Sequence, residues 1–330
     1  MLMTSNAGQN SDPTQEFIGA IAKDMGLEFV RCTRLSRRRS HLINHYRLES
    51  REGKYFVKIA RAGNALRPVR LKAILGSPSI ERQLAVYDAF SKREFQVFRY
   101  PNLIHTDGKN YLVLEYIPGL PPEEHAIDRN NLIAALLELQ FAGVKPRLRS
   151  LGNLLMHSYL KPTATLLTKG LMRLRRQYGY SLTRRCLTAI TKCHAAQGRS
   201  EESVLVHNDF HPENILIAES GQLYFTDFEN TALTRKWLLV DIVHYAVDTE
   251  VADIDVSLIR EYLQELAEKY KPFDRLDVRA QLRFALLRRV IQHTTSSAVP
   301  HIVQNEYRDF LERVLLSDAR YRSWHKANIA

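Results

Sequence analysis

Acidic residues are missing from one long stretch of this chain: no aspartate or glutamate lies between Glu138 and Glu201. The same stretch carries twelve lysines and arginines, enough by itself to account for the net charge of +11 on the 330 residues. Cysteine is scarce, with only Cys32, Cys186 and Cys193. None is spaced as a zinc ligand or a CxxC pair, and an odd number argues against a disulfide framework, so a reducing cytoplasm is the expected compartment. No apolar run reaches the roughly 18 residues that a membrane-spanning helix requires. Residues 1–13 are polar and lack the basic and apolar regions of a secretory signal, and we expect a disordered tail there. What remains is ordinary: 45% hydrophobic and 25% charged residues, in a length that suits one large or two modest domains.

Hydrophobic periodicity changes character once along the chain. Residues 13–27 read as a short leading helix, followed by strand-like runs at 28–35, 42–49 and 55–59, with Arg51-Glu52-Gly53-Lys54 as a hairpin turn. Residues 79–91 form an amphipathic helix capped by Ser79, and 95–100 and 111–116 are predicted as two strands joined by a turn at Asp107-Gly108. Pro118-Gly119 and Pro121-Pro122 then interrupt the pattern, where we place a hinge. Helices dominate beyond it, at 129–142, 163–178, 182–196, 237–249, 256–269, 276–296 and about 303–316. A small β patch at 204–206, 215–218 and 223–226 is set among them, with Ser220-Gly221 as its turn. The expected architecture is α+β and bilobal. A β-rich lobe at 14–117 holds one helix in its sheet region, and a larger helical lobe spans 118–330.

The β patch carries the chemistry. Over 204–230 the chain reads VLVHNDFHPENILIAESGQLYFTDFEN, so His207, Asp209 and Asn214 follow the spacing H-x-D-x-x-x-x-N and Asp227 closes the next strand. Phosphoryl transfer asks for such a set: a carboxylate to orient the attacking hydroxyl and accept its proton, and hard oxygen ligands to hold Mg²⁺ on the phosphates of ATP. Asp209 suits the first role, Asn214 and Asp227 the second. Lys58, in the strand Tyr55-Phe56-Val57-Lys58-Ile59, is placed to neutralise phosphate charge. His207 and His211 read as structural. Asp209 and Asn214 taken singly could also be turn formers, since these residue types favour loops.

This region resembles the protein-kinase-like superfamily, and more closely its aminoglycoside phosphotransferase and choline kinase branch. There the catalytic loop typically reads H-G-D-x-H-x-x-N and the metal motif I-D-x-[DE]. Here they are His207-Asn208-Asp209-Phe210-His211-Pro212-Glu213-Asn214 and Thr226-Asp227-Phe228-Glu229. The likeness extends to Lys58, to the hinge Leu114-Glu115-Tyr116-Ile117-Pro118-Gly119, and to Trp237 with Asp241. It implies a protein-kinase-like fold, ATP and Mg²⁺ as cofactors, and backbone contacts from Glu115 to Ile117 with a base edge. Either Glu81 or Gln83 would face Lys58. The phosphate-covering turn would be Ser36-Arg37-Arg38-Arg39-Ser40-His41, which has no glycine but offers the Ser40 hydroxyl to a phosphate. The family's histidine near the end of the first helix after the hinge is Gln140 here.

Nine residues separate Phe228 from the next helix start near Leu238, no A-P-E follows, and Glu229 stands where a D-F-G motif has glycine. The acceptor is therefore expected to be a non-protein molecule. The basic stretch falls where this branch holds its acceptor, which points to an anionic or sugar-like partner such as a lipopolysaccharide core sugar, with peripheral contact with an anionic membrane at its inner face. Leucines, methionines and a tyrosine interleave with those bases, a pattern that also fits a core-facing helix pair with solvated cations. No nucleic-acid motif accompanies it. A soluble small-molecule or antibiotic kinase is the alternative, and a catalytically inactive kinase-fold binding module is an alternative of another class.

Overall fold

In the computed structural model, the described residues are 13–35, 43–60, 80–120, 127–144, 169–196, 198, 203–247, 250–270 and 276–329. They belong to two compact units, with the boundary near Pro118 and Gly119. Residues 101–118 belong to the first unit, whereas the chain from Arg82 to Tyr100 belongs to the second.

The first unit is an antiparallel sheet with one helix on it. Helix α1 (Pro13–Asp24) is followed by strands β1 (Phe29–Arg34), β2 (Ile43–Ser50) and β3 (Lys54–Ala60), and later in the chain by β5 (Leu103–Thr106) and β6 (Tyr111–Glu115). The strand order is β1-β2-β3-β6-β5. Gly26, at φ 72°, stops α1, and the Leu27 N–H reaches back to the Ala22 carbonyl at 2.9 Å as in a Schellman ending. The apolar face of α1, Ile18, Ile21 and Ala22, packs on Tyr46, Leu48, Val57, Tyr111 and Val113 from alternate positions of the central strands. The β5–β6 turn is held by Asp107, whose Oδ1 accepts from the backbone N–H groups of Lys109, Asn110 and Tyr111.

That turn lies where the sequence placed it, but its first strand does not. Residues 95–100 were expected to pair with β6. The partner is instead β5, and only β4 (Phe98–Arg99) is a strand in the earlier run, pairing in parallel with β10 (Leu223–Phe225) of the second unit. Phe95, Phe98 and Tyr100 are apolar because they join an aromatic cluster with Phe90, Phe225 and Phe228, not because they face the first sheet. The Glu138 carboxylate holds the entry to β4 by accepting from the N–H groups of Gln96 and Val97 at 2.5 and 2.9 Å.

The second unit comprises most of α2 (Ile80–Phe90), β4, β7 (Gly119–Leu120), α3 (Arg129–Gln140), α4 (Leu171–Ala196), β8 (Val204–Val206), β9 (Ile215–Ala218), β10 (Leu223–Phe225) and β11 (Ala232–Thr234). Helices α5 (Val240–Ala246), α6 (Val256–Lys269), α7 (Val278–Thr294), α8 (His301–Phe310) and α9 (Asp318–Asn328) complete it. One sheet has the order β4-β10-β9-β7, and β8 pairs with β11. Gly119 is required in β7: a Cβ there would lie 2.7 Å from the Ile217 carbonyl oxygen. Helix α4 breaks at Gly179, which takes φ 84°, close to the expected gap between helices at 178 and 182. Residues 237–239 precede α5 as a turn, so that helix starts later than expected. A π turn at Leu311–Leu315 ends α8. Helix α9 was not expected at all, since its sequence DARYRSWHKAN has no clear apolar stripe; Tyr321 is its one buried side chain.

Candidate active site

Two strand pairs frame the loops that carry His207, Asp209, Asn214 and Asp227. Strands β9 and β10 form a hairpin, and β8 pairs antiparallel with β11, so the loop leaving β8 at His207 lies beside the loop entering β11 after Asp227. Thr226 ties the two together by donating from N and Oγ1 to the Asn214 carbonyl at 2.9 and 3.1 Å. Among the described residues, the only non-glycine positions with positive φ are Asn208 at 64° and Asp227 at 62°, one in each loop. Such conformations are costly away from glycine and gather at functional sites.

The first loop hangs from a buried carboxylate. Asp241, on α5, accepts from the backbone N–H groups of His207 and Asn208 at 2.8 and 2.7 Å. Burial pushes the Asp241 carboxyl up, while the charge near His207, the two N–H groups and Arg288 pull the other way. The buried His207 ring donates from Nε2 to the Thr226 carbonyl at 2.7 Å, the loop-bonding role its position suggested. Phe228 packs against His207, Tyr87 and Phe90, closing the apolar side of the loop.

Asp209 is partly exposed, with 30% of its side chain accessible. Its Oδ2 accepts from Asn230 Nδ2 at 3.1 Å. On the other side, His244 Nε2 and His211 Nε2 lie 3.8 and 4.0 Å from Oδ1. Burial holds both histidines below the ordinary imidazole value, His244 well below it, and Arg289 adds to the effect on each. Neutral imidazoles therefore flank the carboxylate. Arg288 donates to the Asn208 carbonyl at 3.4 Å; burial lowers its pKa, and the charges of Asp241 and Asp209 oppose that.

Asn214 is buried, and its amide nitrogen has two anchors, the Asp209 carbonyl at 2.8 Å and His211 Nε2 at 3.1 Å. Fixing the NH₂ end turns the amide oxygen, the only atom of the group able to ligate a cation, away from those anchors. Asp227 follows β10 and precedes a 3₁₀ turn at Phe228–Asn230. An amide oxygen and a carboxylate, both hard donors, suit Mg²⁺. Nearby, the charge of Glu229 offsets part of the burial that lowers the Arg82 guanidinium to about 10.

The remaining expected residues lie elsewhere. Lys58 is buried in β3 of the first unit, opposite His45 and Leu112, with its Nζ 5.9 Å from the Phe56 ring. Glu115 ends β6, where its N–H donates to the Asn102 carbonyl at 2.9 Å; Ile117 is buried two residues on. Ser40, with the whole turn 36–41 and Ser79, lies outside the described residues, as do 145–168 of the basic stretch. Of the two α2 candidates, Glu81 is exposed and Gln83 fully buried. Gln140 is structural: it donates to the Leu238 carbonyl at 3.0 Å and accepts from the Tyr262 hydroxyl. Asn230 and His244 were missed in the sequence, although Asn230 stands three residues after Asp227 in the same motif. Arg288 and Arg289, on α7, left no local signal.

A search of curated proteins gives no match. Among solved structures, the chain is similar to a choline kinase from Streptococcus pneumoniae, LicA, with a TM-score of 0.56 and 11% identity, covering 96% of this chain and 98% of that one. It is similar also to the ADP-bound aminoglycoside phosphotransferase APH(2'')-Ib, with a TM-score of 0.54, 15% identity and coverage of 92% and 96%. A third likeness is to the streptomycin–ATP complex of APH(2")-IIa, at 0.53, 14%, 94% and 97%. At these identities the likeness establishes the α+β kinase-like fold. The family is established separately, because a model of the phosphotransferase enzyme family matches residues 34–284. The chain therefore belongs to the phosphotransferase enzyme family.

Proposed function

We propose that this protein transfers the γ-phosphate of ATP to a hydroxyl of a carbohydrate or anionic glycoconjugate, such as a lipopolysaccharide core sugar at the inner membrane surface. The observation that carries the reading is the setting of Asp209: a partly exposed carboxylate held by Asn230 through one oxygen, with the ring nitrogens of His244 and His211 at 3.8 and 4.0 Å from the other. Asp209 accepts the proton of the attacking hydroxyl as the new P–O bond forms and the bond to the ADP leaving oxygen breaks. Asn214 and Asp227 would hold Mg²⁺, which when bound neutralises charge on the phosphates. In the first unit, Lys58 is the proposed phosphate-binding side chain, Glu115 and Ile117 the base-edge contacts, and Ser40 a phosphate donor. As domains, 14–117 would serve the nucleotide and 118–330 catalysis and the acceptor.

The anionic character of the acceptor is supported by charge. Arg288 and Arg289 lie near Asp209 and its histidines, and the acid-free stretch belongs to the same part of the chain. Solved relatives bound to AMP, ADP or ATP support the nucleotide. A soluble small-molecule kinase is the second reading, favoured by the aminoglycosides and choline named for those relatives; cationic acceptors of that kind fit poorly beside the two arginines.

The test is a thermal shift with ATP and with GTP, each with and without Mg²⁺, on wild type and Asp227→Ala. A Mg²⁺-dependent rise confined to wild type is expected. Absence of a shift with either nucleotide would overturn the proposal in favour of a binding module.

A further inference from the structure

Helix α4 carries six cations and no carboxylate, and its exposed side is not purely polar. Beyond the break at Gly179, Tyr180, Arg184 and Leu187 follow helical spacing along one stripe, with Tyr180 68% and Leu187 44% exposed. The neighbouring stripe, Ser181, Arg185, Thr188 and Lys192, lines an open groove of about 480 Å³ against α7 and the start of α9. A second groove continues from it, bounded by Arg279 of α7 and Arg322 of α9, and the two share Lys192, Arg283 and Asp318. Six cations thus border one continuous surface whose lining carboxylates are Asp277 and Asp318, with Glu312 beside it paired to Arg185 at 3.5 Å. Both carboxylates are already engaged. Asp318 accepts from Arg283 at 2.6 Å and Lys192 at 3.0 Å, and Asp277 caps α7 through the Ala280 N–H at 2.8 Å.

We infer that this face of the second unit, built from α4, the first turns of α7 and α9, docks the protein on an anionic membrane surface. Cations set around exposed tyrosine and leucine are what such a surface binds: lipid phosphates attract the bases, while the apolar side chains enter the headgroup boundary. Nucleic acid would reward the charge but not the aliphatic Leu187, and among the described residues no base-reading element adjoins the grooves. Three of the cations, Arg279, Arg283 and Arg322, lie far along the chain from the acid-free stretch, so the surface exists only in the folded unit. The inference rests on the proposed function for its membrane setting, while its residues lie apart from Asp209, Asn214 and Asp227.

Flotation of the full chain with vesicles at physiological ionic strength tests it, using phosphatidylcholine alone and phosphatidylcholine mixed with phosphatidylglycerol. Wild type should float with the mixed vesicles only. Each cation near such a surface contributes about fivefold in partitioning. Arg184→Gln with Arg322→Gln should therefore cut binding about 25-fold while leaving the melting temperature of the unliganded protein unchanged. Leu187→Gln should weaken binding without altering net charge. Asp227→Ala should float like wild type, which separates docking from the nucleotide site: a chain that floats but shows no ATP response loses the enzymatic reading and keeps this one. Absent flotation with mixed vesicles, equal flotation with neutral ones, or wild-type binding by the double variant would overturn the inference; binding to a single-stranded oligonucleotide in place of vesicles would assign the face to nucleic acid.

Discussion

Asn230 donates its side-chain amide hydrogen to Oδ2 of Asp209 across 3.1 Å, so the loop after Asp227 orients the carboxylate at the end of the loop before it. The pair joins the two loops of the site at the carboxylate itself, beside the backbone contacts of Thr226 with Asn214 and His207. A hydrogen bond to a charged group contributes about 1.5–3 kcal/mol, roughly a factor of 10 to 100 in rate where it is needed in the transition state.

Replacing Asn230 by Ala should therefore lower kcat for ATP consumption by about 10- to 100-fold with little change in KM for ATP or in thermal stability. Asp209→Ala should abolish turnover with the fold intact. Steady-state kinetics on both variants decides the matter, and wild-type turnover in Asp209→Ala would remove the proposed base.

Asp241 serves the fold first and the site second. It is fully buried and satisfies two backbone N–H groups of the loop. Asp241→Ala leaves both without that acceptor, at about 1–3 kcal/mol each. Urea unfolding should show a loss of about 2–5 kcal/mol together with lost activity. Asp241→Asn, which keeps one acceptor oxygen, should lose less. An unfolding midpoint equal to wild type for Asp241→Ala would show that the loop does not depend on this anchor.

The flanking histidines give a pH dependence whose sign follows from their environment. Burial lowers the folded-state pKa of His211 and His244, so the unfolded chain binds protons that the folded chain refuses. Their contribution to stability is whole above the unfolded histidine value of about 6.5 and is lost as the pH falls below it. The urea midpoint should decline on acidification from pH 7 to 5. His244→Gln should flatten that decline without removing it, because His211 and His325 shift in the same direction. A decline of unchanged steepness in His244→Gln would show that His244 is not buried as a neutral ring.

Much of the site could be read locally because its members share short spacings. Asp209 and Asn214 sit in one loop between two strands, and Gly221, at φ 80°, marks the hairpin that brings Asp227 back beside them. The strand at β4 was misjudged for a related reason. Its apolar residues look like any sheet strand, but its partner, β10, is more than a hundred residues away and runs parallel, a pairing that leaves no turn to find. Helix α9 escaped notice because most of its face is polar and it contributes little beyond Tyr321 to the core.

Residue order alone establishes the strand–loop–strand spacing of Asp209, Asn214 and Asp227, and the acid-free charge run, since turns and periodicity are properties of neighbours along the chain. Which groups surround Asp209 is another matter. Asn230, His244 and Arg288 converge on its neighbourhood from separate elements, and Arg279 and Arg322 join α4 in one basic face, only after helices and strands pack. Desolvation and long-range charge act through space, so the neutral histidines and the cationic surface belong to the tertiary structure.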